Sequence, residues 1–147
     1  MHHVETYPFV EYQYSNGVVR YRTELPVRLL NPETGAFVDS FALLDTGADA
    51  CLFDRVTTVQ AGHALKGDGV TGSVTGGVGG EATTYKHTID LQLFSGKGDR
   101  IVWKSGARLF DCIDAEIPPL LGVRDFPAVF RVEIDYPKKA IRLEWEQ

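Results

Sequence analysis

The chain has 147 residues, 44% of them hydrophobic, which suits one globular domain with a core of its own. Its formal net charge is −5, and Lys and Arg are scattered and outnumbered by acids, which argues against a nucleic-acid-binding surface. No apolar stretch approaches the roughly 18 residues needed to span a bilayer, so no membrane partner is expected.

In chain order the reading is strongly β. The start, "MHHVETYPFVEYQ", lacks the basic residues and apolar run of a secretory signal. "YPFVEYQY" and "VVRYRTELPVRLL" are rich in aromatic and β-branched residues, with Ser15-Asn16-Gly17 as the turn between them. Residues 1–24 read as N-terminal extension strands of a single domain, 1–147. "NPETG" marks a second turn and leads into the strand "AFVDSFALLD". Asp54 before "RVTTVQAGHAL" predicts an N-cap and a short helix.

Residues 67–80 hold seven of the fifteen glycines and read as a flexible loop or mobile hairpin. "ATTYKHTIDLQLF" alternates in polarity as a strand does, and "RIVWKSGARLFDCI" predicts two strands around Ser105-Gly106. "LLGVRDFPAVF" has room for one short helix. "FRVEIDYPKKAIRLEW" reads as a hairpin, with Lys138-Lys139 as a charged turn rather than a phosphate contact. With no long helix, repeat or linker, the fold class is all-β, a barrel or a sandwich.

Three stretches carry chemistry. The first is Asp45-Thr46-Gly47, a tripeptide of a kind that chance supplies in roughly a few per cent of chains this long. Here it closes the apolar run Phe41 to Leu44. An ionised carboxylate at the end of a buried strand is costly unless something stabilises it. A turn-forming Asp exposed at the strand's end is the plainer alternative. The second is "IPPLLGVRDF", where Leu120-Leu121 runs into Gly122. The third is the glycine-rich stretch. It contains a literal G-x-G-x-x-G from Gly67 to Gly72, but "HALK" before it is no strand and "SVTGGVGG" after it is no helix, so a dinucleotide site is rejected.

Taken in order, "LLDTGADACLF", "GGVGG" and "PPLLGVRDF" ahead of a terminal hairpin resemble the retropepsin-like aspartic proteases over roughly residues 25–145. The resemblance implies a small closed barrel of the acid-protease type with one or two short helices. It implies an active site between two subunits. A single Asp-Thr-Gly in a chain of this length means that Asp45 must meet Asp45 of a second copy across a two-fold axis. The implied activity is peptide-bond hydrolysis by water held between the two carboxylates, with a peptide or protein as substrate. Catalysis falls to Asp45, Thr46 and Gly47, with Thr46 bonding across the dimer axis.

Ala48, Asp49, Gly76, Gly77, Val78 and Gly79 are the implied substrate-binding residues, with Val78 as the apolar tip of a flap. Gly122, Arg124 and Asp125 are the implied structural support, with an ion pair expected between Asp49 and Arg124. "DRVTTVQAGHAL" is an insertion relative to the compact viral enzymes. Ala48 offers the acids no hydroxyl, so a weakly acidic to near-neutral optimum is expected rather than one near about pH 3.

His63 and His87 read as structural, and Cys51 and Cys112 as free thiols packed as small apolar groups. No metal set or cofactor motif emerges. Cytoplasmic residence is expected, as a protein in its own right or as a domain excised from a larger one. Two other readings stand beside the active enzyme. One is a catalytically inactive retropepsin-like module for dimerisation or peptide binding; the other is an unrelated barrel in which Asp45 caps a turn.

Overall fold

The computed structural model describes residues 1–67, 70, 72–77, 80–122 and 124–147, with the backbone alone for 73–77, 80–81 and 127. Twelve strands carry the fold. They are β1 (His2–Pro8), β2 (Val10–Gln13), β3 (Val19–Arg22), β4 (Glu24–Leu30), β5 (Phe37–Asp45), β6 (Leu52–Phe53), β7 (Gly72–Gly77), β8 (Gly80–Phe94), β9 (Ile101–Ile113), β10 (Leu120–Gly122), β11 (Arg131–Asp135) and β12 (Ala140–Glu146). The main sheet runs β4-β5-β10-β6-β9-β8-β7, and β4 also pairs with β8, which closes its first six strands into a ring. The fold is therefore an all-β closed barrel, the one of the two architectures left open by the strand pattern that the resemblance also implied.

The barrel interior follows from period-2 patterning. Leu25, Val27 and Leu29 of β4 point inward with Ile89, Leu91 and Leu93 of β8, and all six are fully buried. Phe53, Phe110 and Leu121 extend this core toward the strand ends. The expected pair of strands around Ser105-Gly106 is instead one strand, β9, with a bulge. Asp90 pairs with Ala107 and Gln92 with Lys104, so Ser105 and Gly106 together oppose Leu91. Gly106 has φ +74°, which glycine adopts without a Cβ penalty. Leu91 N–H donates to Ser105 Oγ (2.9 Å) and Gly106 N–H to Asp90 Oδ1 (3.0 Å), so the strand bends without ending.

A second sheet, β1-β12-β11, stands beside the barrel. β1 lies antiparallel along β12 from His2↔Glu146 to Pro8↔Ala140, which joins the N-terminal residues to the body of the domain. Trp103, Phe126, Phe130 and Trp145 form a chain of edge-on and tilted ring contacts between this sheet and the barrel. β2 and β3 form the expected hairpin around residues 14–18. Among the described residues no helix is long and apolar enough to cross a membrane.

Candidate active site

The site lies where β5 ends beside β10. Ala42 and Leu44 are buried, so alternation turns Leu43 and Asp45 to the opposite face of β5. β10 runs parallel to β5 with Leu43↔Leu120, Leu44↔Leu121 and Asp45↔Gly122 in register. Leu43 N–H donates to the Pro119 carbonyl (2.7 Å) and Leu44 N–H to the Thr23 carbonyl (2.9 Å), which fixes the strand up to the acid.

Beyond Asp45 the chain turns back on it. Gly47 N–H donates to Asp45 Oδ1 at 2.9 Å, and Ala48 N–H to the Asp45 carbonyl at 3.3 Å. A Cβ on Gly47 would stand 3.3 Å from that same Oδ1, tighter than ordinary contact. Among the described residues Asp45 Oδ2 takes no hydrogen bond, so one carboxyl oxygen is anchored and the other is not. Asp45 is half-buried, while Thr46, Gly47 and Asp49 are exposed. The Thr46 hydroxyl has no partner among the described residues. Ala48 adds no donor to the acid beyond its backbone.

Gly122 explains itself by space. A Cβ there would lie 2.1 Å from both the carbonyl carbon and oxygen of Ala50, contacts that real atoms do not make. The loop after Gly122 is stitched to the loop after Asp45. Arg124 N–H donates to the Asp49 carbonyl (2.8 Å) and Phe126 N–H to the Gly122 carbonyl (3.1 Å). Asp125 Oδ2 accepts from Cys51 N–H at 2.9 Å, and its Oδ1 from Arg108 Nη2 at 3.3 Å.

The side-chain ion pair expected between Asp49 and Arg124 is not formed. Their link runs through the backbone, and both side chains stay in water, where an exposed pair repays little of the side-chain entropy it costs. The arginine that pairs here is Arg108 of β9, with Asp125. The sequence carries no sign of it, because Arg108 lies in an ordinary strand and meets Asp125 only through the fold.

Gly76 and Gly77 lie on β7, paired with Glu81 and Gly80 of β8, so the glycine-rich stretch is a hairpin in its described part. Val78 and Gly79, expected at the flap tip, lie outside the described residues.

The insertion after β6 forms a helix, α1 (Arg55–Gln60), capped as predicted by Asp54, whose Oδ2 accepts from Thr57 N–H at 3.2 Å. Arg55 pairs with Asp114 (2.8 Å) and Glu116 (3.1 Å), and Lys66 with Asp114 (2.7 Å). These cations, Lys66 foremost, hold the Asp114 carboxyl below its ordinary range. His63 and His87 face each other with ring centroids 4.6 Å apart. His63 Nε2 lies 2.9 Å from the Thr88 carbonyl and His87 Nε2 2.9 Å from the Leu65 carbonyl. A carbonyl only accepts, so each Nε2 carries the proton. Burial, and secondarily His87, lowers the pKa of His63.

Cys51 and Cys112 are free and buried, and burial pushes their thiols up to about 12 and about 11. Among the described residues no group of three His, Cys, Asp or Glu is placed to hold a metal ion.

No family model and no curated protein matches the chain in sequence. In fold, the chain is similar to the solved structure of a retropepsin-like aspartic protease from Rickettsia conorii, at TM-score 0.61 and 14% identity, over 99% of this chain and 94% of that one. The fold is that of the retropepsin-like aspartic proteases. At this identity the likeness speaks for architecture, and the chemistry rests on the residues around Asp45.

Proposed function

We propose that the protein is an aspartic endopeptidase that works as a homodimer, with the two Asp45 carboxylates facing each other across a two-fold axis. The observation that carries this reading is Asp45 itself. It is half-buried at the end of a parallel strand pair, with one oxygen anchored by Gly47 N–H and the other not, on an acid-protease fold. The chain has one such motif, and the reaction needs two carboxylates, so the second comes from a second copy.

Two carboxylates a few ångströms apart do not both ionise readily, and they share a proton. The ionised one takes a proton from a bound water as the water attacks the peptide carbonyl. The protonated one donates to the carbonyl oxygen. The product of that step is a gem-diol, and collapse with proton return to the amine breaks the C–N bond without an acyl-enzyme. The anchored Oδ1 fixes the carboxyl plane, and the close packing of Gly122 on Ala50 fixes the strand that bears it. Peptide would lie under the β7–β8 hairpin and add strand-like hydrogen bonds. With no side-chain donor at Ala48 the pair is less stabilised as an anion, so the optimum is weakly acidic to near neutral.

The test is digestion of a peptide library across about pH 3 to 8 by the wild type and by Asp45→Asn. Cleavage falls by on the order of a thousandfold or more in the variant, with the fold unchanged by circular dichroism. Cleavage that survives the substitution removes Asp45 from the mechanism. A strict monomer at high concentration with full activity removes the dimer.

A further inference from the structure

Beside the candidate catalytic acid runs a groove of about 620 Å³, lined by Phe9, Val19, Tyr21, Leu43 and Tyr136 with Arg20, Arg22, Thr23 and Lys139. Its charge runs against that of the chain. Three cations and no acid line it, although the protein as a whole carries −5. None of the three cations has a carboxylate partner among the described residues. Arg22 lies 4.8 Å over the Tyr12 ring and Lys139 5.1 Å over the Tyr21 ring, contacts that orient a cation without neutralising it. The nearest acids in sequence are occupied elsewhere. Glu24 is buried and accepts from the Tyr12 hydroxyl, and Asp135 Oδ1 accepts from Lys138 N–H at 3.0 Å.

Two further features tie the groove to the site. Leu43 lines it and stands two residues before Asp45 on the same face of β5, a separation of roughly 7 Å. Among the described residues Lys139, with φ +52°, is the one non-glycine residue at positive φ, where glycine or asparagine would be cheaper. Its carbonyl accepts from Phe9 N–H at 2.9 Å, which holds the turn, while Tyr21 lies beneath the ammonium.

We propose that this groove selects the substrate: it takes acidic residues of an extended peptide whose scissile bond lies at Asp45. The claim rests on the endopeptidase reading and adds a substrate class to it. The aromatic walls cover the stems of the bound side chains while Arg20, Arg22 and Lys139 meet their carboxylates. The β2–β3 hairpin supplies two of these cations, which gives the N-terminal strands a part in recognition.

Two matched peptide pools of about ten residues test this, one with two central Glu residues and the other with Gln in their place. Fluorescence polarisation measures their binding to full-length Asp45→Asn, which does not consume them. The Glu pool binds on the order of tenfold more tightly at low salt, and the preference fades in ~0.5 M NaCl. It is lost in the variant that adds Arg20→Gln and Lys139→Gln, both exposed positions, whose thermal midpoint is checked alongside. Equal binding, no binding of either pool, or a preference that survives the added substitutions overturns the proposal. Wild-type digestion of the same pools separates the two claims. Cleavage without an acidic preference sinks the groove and leaves the enzyme, whereas an acidic preference in binding with no cleavage sinks the enzyme and leaves the groove.

Discussion

The loops around Asp45 and the insertion that carries α1 are both attached to the barrel, by opposite means. The loops of 45–51 and 120–125 are joined by backbone hydrogen bonds, one carboxylate brace and a glycine with no room for a methyl. The insertion buries Thr57, Thr58, Ala61 and Leu65, and at its surface it is held by the ends of long side chains, Arg55 and Lys66 on Asp114, and by two histidines that each donate to the other's segment. The first attachment tolerates no adjustment. The second combines burial with surface contacts that are exposed to screening. Backbone and glycine packing clamp the chain beside Asp45, whereas side chains, buried and exposed, hold the insertion.

Gly122→Ala gives the largest effect. A methyl driven against the Ala50 backbone forces the two loops apart, costing about 3 kcal/mol or more and lowering the melting temperature by roughly 10 °C or more. A variant that melts with the wild type would show that the loops are not so tightly joined. Next comes Asp125→Ala, which leaves the Cys51 N–H without its acceptor and Arg108 without its partner. A loss of about 1–3 kcal/mol is expected in urea unfolding, with faster amide exchange at Cys51. Unchanged exchange at that amide would remove Asp125 as the brace.

The smallest effect belongs to the insertion. Burial lowers the pKa of His63, so the unfolded chain binds this proton more readily than the folded one. His63 therefore withholds no stability above its unfolded value of about 6.5, and stability declines as the pH drops below it. Protonated His63 would face His87, with Glu33 and Lys86 along the same cleft. Between about pH 7 and 5 the urea midpoint falls further in the wild type than in His63→Gln. Parallel pH curves would assign that loss of stability to another group.

Much of the barrel was legible because its strands alternate. The buried apolar residues of β4 and β12, and Ile89, Leu91 and Leu93 of β8, sit at every second position, and the helix start at Asp54 followed from the capping chemistry of its side chain. The acid at the end of β5 was legible from the apolar run before it. Contacts made by the fold between distant segments were not. Nothing local announces that Arg108 reaches Asp125, or that Gly122 lies against Ala50. The bulge at Ser105-Gly106 reads in the sequence as a turn between two strands because a glycine in a strand signals either, and only the side-chain bonds to Asp90 and Leu91 decide between them. The basic groove was hidden by the overall acidity of the chain, since its cations come from residues 20, 22 and 139.

The ring of six strands closes through a short seam, Val27 to Leu30 of β4 against Leu93 to Asp90 of β8. These segments are some sixty residues apart in the chain, so pairing them costs more loop entropy than closing a local hairpin such as β11–β12. Until it forms, β4 and β8 each present an unsatisfied, strongly apolar flank. A nascent or damaged molecule is thus most prone to self-association there, and a graft or label placed at this seam would trap the protein open.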